Sequence, residues 1–184
     1  MRGKRKIIIK IMQKDIEFEK AVRLLSEYLP ESDEKAKKPV LTHDIRVGVY
    51  LYENNYSQEV VLAGLLHDIL EFSNITEELI ENKFGKEVLE LVKANTKNKS
   101  IENSDERIKE LISRCAQNGE SALIVRTADI LDSYKHYKKT NNQSELEYCR
   151  KNAEAIKKHK PESFSNSIFK KLEDYNNFVA KNLI

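Results

Sequence analysis

Two stretches leave this chain little freedom of fold. Val60-Val61-Leu62-Ala63-Gly64-Leu65-Leu66 is apolar at every helical rotation, and so is Ala122-Leu123-Ile124-Val125, continued by Ala128, Ile130 and Leu131. A helix without a polar face cannot lie against water, so both stretches belong at the centre of a helical bundle, where Gly64 would permit close backbone approach. The rest reads as helices wrapped around them. Ala21, Val22, Leu24, Leu25, Tyr28 and Leu29 recur at helical spacing over 16–29, with Asp15 as the expected cap and Pro30 as the stop. A second helix is expected from near Thr42 to Asn54, and Ser57 should cap the third, which ends in His67-Asp68-Ile69-Leu70-Glu71-Phe72. Thr76 and Gly85 bracket a short helix, 86–95 makes another, Asn103 or Ser104 opens the next, and Asn118-Gly119 closes it. The second apolar stretch continues to Tyr137. Ser144-Glu145-Leu146-Glu147 has the form of a capping box for a helix through Ile156, and Ile168, Leu172, Tyr175 and Val179 form a stripe that fits core or a dimer seam.

With only five glycines and three prolines in 184 residues, a many-turned β-sandwich is excluded. The expected fold is all-α and single-domain: an N-terminal arm over 1–15, then one helical domain over 16–184. Within it lie a motif core at 37–137 and C-terminal helices at 144–183. Ile7, Ile9 and Ile11 of the arm are expected to dock on the domain, because Lys10 interrupts their run and no small-residue cleavage site follows. No apolar run approaches the roughly 20 residues that span a bilayer. Two lone cysteines, Cys115 and Cys149, suit a reduced, cytoplasmic setting. A net charge of +2 gives no overall drive toward nucleic acid or membranes, leaving only short basic strips at the N-terminus and over 134–160 for such a role.

The two most apolar helices also carry acids and a histidine: His67-Asp68 follows the first stretch, and Asp129 sits between Ala128 and Ile130 in the second. A buried, unpaired carboxylate costs several kcal/mol, so each needs a cation or a hydrogen-bond partner. Asp68 and Asp129 cannot neutralise each other, but a divalent cation between them satisfies both. His43, 24 residues before His67, adds a further donor, and Asp129 follows Asp68 by 61 residues. Two imidazoles and two carboxylates suit Mn²⁺, Fe²⁺, Co²⁺ or Zn²⁺ better than Ca²⁺.

These residues resemble the HD-domain metal-dependent phosphohydrolases, and most closely the hydrolase domain of the alarmone (guanosine tetraphosphate) synthetase/hydrolases and small alarmone hydrolases. The resemblance rests on Pro39 before His43, then Ala63-Gly64-Leu65-Leu66-His67-Asp68-Ile69-Leu70-Glu71. Phe84-Gly85-Lys86-Glu87-Val88-Leu89-Glu90-Leu91-Val92, Thr96-Lys97 and Arg126-Thr127-Ala128-Asp129 follow in order. It covers about residues 20–137 and implies an HD-type bundle that hydrolyses a phosphate or pyrophosphate ester, of a nucleotide, with one divalent metal, Mn²⁺ first. His43, His67, Asp68 and Asp129 would be the ligands, and Glu71 would hold or deprotonate the attacking water. Lys37 and Lys38 resemble basic residues that meet substrate phosphates.

Three positions depart from the pattern. The acid expected after Glu71 is Phe72, the asparagine expected four residues after Asp129 is Ser133, and Asp44 stands in place of a proline. Ser133 can still donate a hydrogen bond. Arg126 either faces phosphate or pairs with Glu71 or Asp132, and Asp132 reads as a surface carboxylate. Tyr137 and its neighbours Tyr134, Lys135, His136, Lys138 and Lys139 either stack a base and screen phosphates or form a solvated helix end. Three functions follow: a nucleotide phosphohydrolase, a guanosine tetraphosphate 3′-pyrophosphohydrolase proper, or a degenerate HD protein that binds a nucleotide or partner without hydrolysing it. A homo-oligomer is compatible with each.

Overall fold

Ser57 opens the central helix of the fold, its side chain accepting from the Val60 N–H at 3.3 Å. In this computed structural model residues 2–182 are described, with side chains from 12 to 181. Ten helices and no strands make up the described residues: α1 (Arg2–Tyr28), α2 (Val40–Glu53), α3 (Gln58–Leu66), α4 (Ile69–Phe72), α5 (Glu77–Phe84), α6 (Lys86–Asn95), α7 (Ser104–Gln117), α8 (Glu120–Thr140), α9 (Gln143–His159) and α10 (Ser167–Asn182).

The two all-apolar stretches take the expected central positions. Every residue from Val60 to Leu66 is buried in α3, which packs on α1, α2, α6 and α8. Every residue from Ala122 to Tyr134 is buried in α8, which touches α2, α3, α6, α7, α9 and α10. α2 and α3 lie close because of two glycines rather than the one expected. A Cβ on Gly64 would overlap Leu51, and one on Gly48 would overlap Leu65. Overpacking of this kind typically costs about 1–3 kcal/mol.

α1 runs from Arg2, well before the expected start at Ile16. No glycine or proline interrupts 4–29, so nothing in the backbone ends the helix there. Asp15 lies within it and accepts the Tyr52 hydroxyl instead of capping. The docking expected of Ile7, Ile9 and Ile11 falls outside the residues whose side chains are described. The cap of α9 is also displaced. Asn142, not Ser144, accepts from the Glu145 N–H at 3.3 Å, and Ser144 is already in the first turn with its hydroxyl donating to Asn142. The preceding Asn141, in the left-handed region at φ 52°, ends α8 and turns the chain so that Asn142 meets the new helix.

On α10, Ile168, Leu172 and Val179 are buried and Tyr175 half-buried, so the stripe is core. Both cysteines are buried and free. The strip after Asp129 is less available than its sequence suggests: Tyr134 is buried with its hydroxyl on Asn176, Lys138 lies 4.3 Å from the Phe178 ring, and Lys135 5.6 Å from Tyr50. No helix among the described residues is long and apolar enough to cross a membrane.

Candidate metal centre

Four elements bring one donor set together. Pro39 precedes α2 and sets His43 in its first turn, with the His43 N–H donating to the Pro39 carbonyl at 3.1 Å. His67 closes α3 and Asp68 opens α4, so the His-Asp doublet forms a joint between helices rather than lying within one. Asp129 comes from the middle of α8. His43 Nε2 lies 3.0 Å from Asp129 Oδ1, and His67 Nε2 lies 3.6 Å from Asp68 Oδ2 and 3.8 Å from Asp129 Oδ1. The two imidazoles meet edge to face with centroids 5.2 Å apart. All four residues expected as ligands are buried and gathered here.

The hydrogen bonds of the rings leave their Nε2 atoms as the inward-facing donors. His67 Nδ1 is 2.9 Å from the Gly64 carbonyl, which only accepts, so Nδ1 carries a proton. Its Nε2 has no hydrogen-bond partner although it is fully buried. His43 Nδ1 faces an Asp132 carboxylate oxygen at 2.7 Å, and Arg46 holds the same carboxylate with two bonds of 2.9 and 2.8 Å. A histidine that gives one nitrogen to a carboxylate and turns the other inward is the usual posture of a metal-ligating histidine.

The donor chemistry fits a divalent metal. Donors bound at about 2.1 Å to one ion stand about 3–4 Å apart, the spacing of the nitrogen and oxygen atoms here. A second orphan supports the fit: both oxygens of the buried Asp44 lack any hydrogen-bond partner. Asp44 joins His43, His67 and Asp68 in a set whose donor atoms all lie within 4.8 Å of one another. Its neighbour on α2 was legible as a donor, whereas Asp44 itself signalled only a missing proline. Burial pushes the Asp44 carboxyl well above its usual range, and His67 is the main opposing influence. Burial disfavours a charged His67, but Asp68, Asp44 and Asp129 outweigh it and raise the ring to about 10. Asp68 is pushed up by burial yet held below the usual range by His67, Lys97 and Lys38. Asp129 is likewise held well below it, by Lys38 and Arg126 against burial. The raised Asp44 and His67 are what a crowd of carboxylates produces, whereas Asp68 and Asp129 are kept ionised by the cations beside them.

The other expected residues divide between the centre and the cavity beside it, which measures about 650 Å³. Lys38 donates to His43 Nε2 at 2.6 Å and to Ser133 at 3.0 Å, and lies 3.4 Å from Asp129. Ser133 also donates to Asp129 at 3.1 Å, so this serine sits between Lys38 and Asp129. Lys37 is exposed and paired with Glu145 at 2.5 Å, at the cavity edge. Tyr137 lines the cavity but is nearly covered. Glu71 is buried at its side chain rather than solvated, and accepts from the Lys97 N–H at 2.7 Å and the Lys97 ammonium at 3.1 Å.

Two partner assignments change. Arg126 pairs neither with Glu71 nor with Asp132: it is 1% exposed and spends its guanidinium on Asp129 at 2.6 Å, Asn152 at 2.6 Å and Tyr148 at 3.2 Å. Asp132 is 9% exposed and no surface carboxylate, because α2 places His43 and Arg46 against it. Lys97 was legible only as half of a Thr-Lys pair. Its ammonium in fact bridges Glu71 and, at 3.8 Å, Asp68.

A helical bundle with a buried His-Asp joint and a second carboxylate from a central helix defines an HD-type protein. The chain belongs to the HD domain family, whose model matches residues 21–156. It is similar to the guanosine-3′,5′-bis(diphosphate) 3′-pyrophosphohydrolase of Aquifex aeolicus, 30% identical over 122 residues, covering 65% of this chain and 17% of that protein. The enzyme of the same description from Borreliella burgdorferi is 32% identical over 116 residues, covering 62% and 17%. The chain thus spans 17% of the length of these relatives. Among solved structures, its fold matches a metazoan ortholog of SpoT that hydrolyzes ppGpp, with TM-score 0.71, 22% identity and coverage of 91% and 97%. A Listeria monocytogenes protein matches with TM-score 0.64, 23% identity and coverage of 80% and 99%.

Proposed function

We propose that this HD-domain protein is a metal-dependent phosphohydrolase acting on a phosphate or pyrophosphate ester of a nucleotide. The observation that carries the reading is the orphaned His67 Nε2, buried between oxygens of Asp68 and Asp129, two residues that line a cavity also lined by lysines. His43, His67, Asp68 and Asp129 would hold the metal, with Mn²⁺ the first choice for this mixed nitrogen and oxygen set and Fe²⁺, Co²⁺ or Zn²⁺ also suited. Such an ion, when bound, supplies Lewis acidity and lowers the pKa of a coordinated water.

The remaining work falls to this chain's own side chains. Asp132 fixes the tautomer of His43 and the Gly64 carbonyl fixes that of His67, so neither ring must reorient. Glu71, oriented by both Lys97 donors, accepts the proton of the attacking water, a role worth typically about 10²–10⁴-fold. Lys38 and Lys97 neutralise charge that develops on the phosphoryl oxygens, with Lys37, Ser133 and Tyr137 contributing from the cavity wall. Arg126 acts at one remove, by holding Asp129.

A test is to replace Asp68 with Ala and compare metal content and Mn²⁺-dependent phosphohydrolase activity. Activity that persists without bound metal removes the proposal. The names of the relatives favour guanosine tetraphosphate as one substrate to include in the nucleotide panel. Release of pyrophosphate from its 3′ position would establish the narrower activity. A metal-loaded protein inert to the whole panel would instead favour a degenerate HD protein that binds a nucleotide or partner without hydrolysing it.

A further inference from the structure

Five large apolar side chains are exposed among the described residues, and of these only Phe72 lines the cavity beside the metal centre. Its residue is 44% exposed. The other aromatic side chains of the cavity are differently occupied: Tyr137 is nearly covered, and the Tyr148 hydroxyl accepts from Arg126. Phe72 therefore presents an exposed hydrophobic ring on a cavity wall that also carries Lys97, Lys99 and Arg107.

The turn that carries the ring is hydrogen-bonded at its backbone. Phe72 ends α4, its N–H donating to the Asp68 carbonyl at 3.2 Å, and Ser73 closes the turn by donating to Ile69 at 2.7 Å. Four residues of helix advance about 6 Å, roughly the width of a pentose, so the residue stands one sugar's distance from Asp68. Lys99 braces the same turn: its ammonium donates to the Glu71 carbonyl at 2.6 Å and lies 5.9 Å from the Phe72 ring. Lys97 and Arg107 add positive charge to this wall. A carboxylate at 72, as the family resemblance leads one to expect, would repel a polyphosphate there, and the phenyl ring does not.

Building on the phosphohydrolase reading, we infer that Phe72 is the specificity-determining residue of the cavity, stacking on an aromatic base and so selecting nucleotides over bare sugar phosphates and polyphosphates. Base stacking on an aromatic side chain is sequence-tolerant, because every base has a π face, and its loss costs affinity on the order of 10-fold. The selection is for a base, whichever base that is.

The chain contains no tryptophan, so Phe72→Trp places a single tryptophan, whose emission can be excited apart from that of the eight tyrosines, at the position in question. With the Mn²⁺-loaded variant, guanosine 5′-diphosphate is expected to quench its emission, whereas ribose 5-phosphate and inorganic pyrophosphate leave it unchanged. In the unaltered protein, calorimetry is expected to show guanosine 5′-diphosphate binding about 10-fold tighter than ribose 5-phosphate. In Phe72→Leu that advantage should shrink to less than threefold with pyrophosphate affinity unchanged. If Phe72→Leu keeps the full advantage while pyrophosphate still binds, the stacking role is overturned and the phosphohydrolase reading stands. If pyrophosphate and the nucleotide both fail to bind the unaltered, metal-loaded protein, both readings fall.

Discussion

His43 Nδ1 sits 2.7 Å from Asp132 Oδ2, so a buried histidine on α2 takes its orientation from a carboxylate on α8 three residues beyond Asp129. One turn of α8 thus supplies both a donor to the centre and the support for a second donor. The Arg46 guanidinium completes the chain from solvent to site.

Removing that support should weaken the centre without dismantling it. Asp132→Asn is expected to lower Mn²⁺ affinity by about 10–100-fold, the range found when outer partners of ligating histidines are lost. Calorimetric titration with Mn²⁺ measures it, and an unchanged affinity would mean that His43 is oriented by packing alone.

Metal binding should depend steeply on pH. His67 is raised to about 10, its Nδ1 proton is committed to the Gly64 carbonyl, and the proton on Nε2 must leave before that atom can ligate. Below that value, loading releases about one proton and apparent affinity rises about tenfold per pH unit. Titrations at pH 7 in buffers of different ionisation enthalpy report the released proton, and heats that do not vary with buffer contradict the expectation.

Arg126 and Asp129 form a buried pair at 2.6 Å. Arg126→Met removes one of the two cations that hold Asp129, leaving Lys38, and should cost up to about 3–5 kcal/mol in stability, the range for breaking one side of a buried pair. Adding Asp129→Asn should recover part of that loss. Urea unfolding of the two single variants and the double variant decides it, strict additivity being the contrary result.

The start of α9 offers a simple comparison. Asn142→Ala removes the side chain that accepts the Glu145 N–H and should cost about 1 kcal/mol. Ser144→Ala, inside the first turn, should change thermal stability much less. Equal effects would return the cap to Ser144.

The two central helices and the burial of His67, Asp68 and Asp129 at one place were readable because the signal is local: a helix with no polar face has one place to go, and acids inside it need partners. What those partners are was not readable. Asp132 looks like any helix-surface acid until α2 brings His43 and Arg46 against it, and Arg126 offers the same spacing to several carboxylates. Asp44 was visible only as a departure from a pattern. Cross-helix pairs depend on how far each helix is rotated about its own axis, and that rotation is set by packing rather than by neighbouring residues. The early start of α1 escaped notice for another reason, since its amphipathic signal begins only near Ile16 while its first turns carry charges and isoleucines together.

The interlock of Gly48 with Leu65 and of Gly64 with Leu51 reaches beyond packing. His43 stands five residues before Gly48, and His67 three residues after Gly64. The gap between the two imidazoles is therefore gauged by the absence of two methyl groups, as a machinist sets a clearance by leaving out a shim. A site's geometry can thus be set at positions that carry no chemistry at all: a single carbon added at either glycine would push α2 and α3 apart and widen the space between His43 and His67.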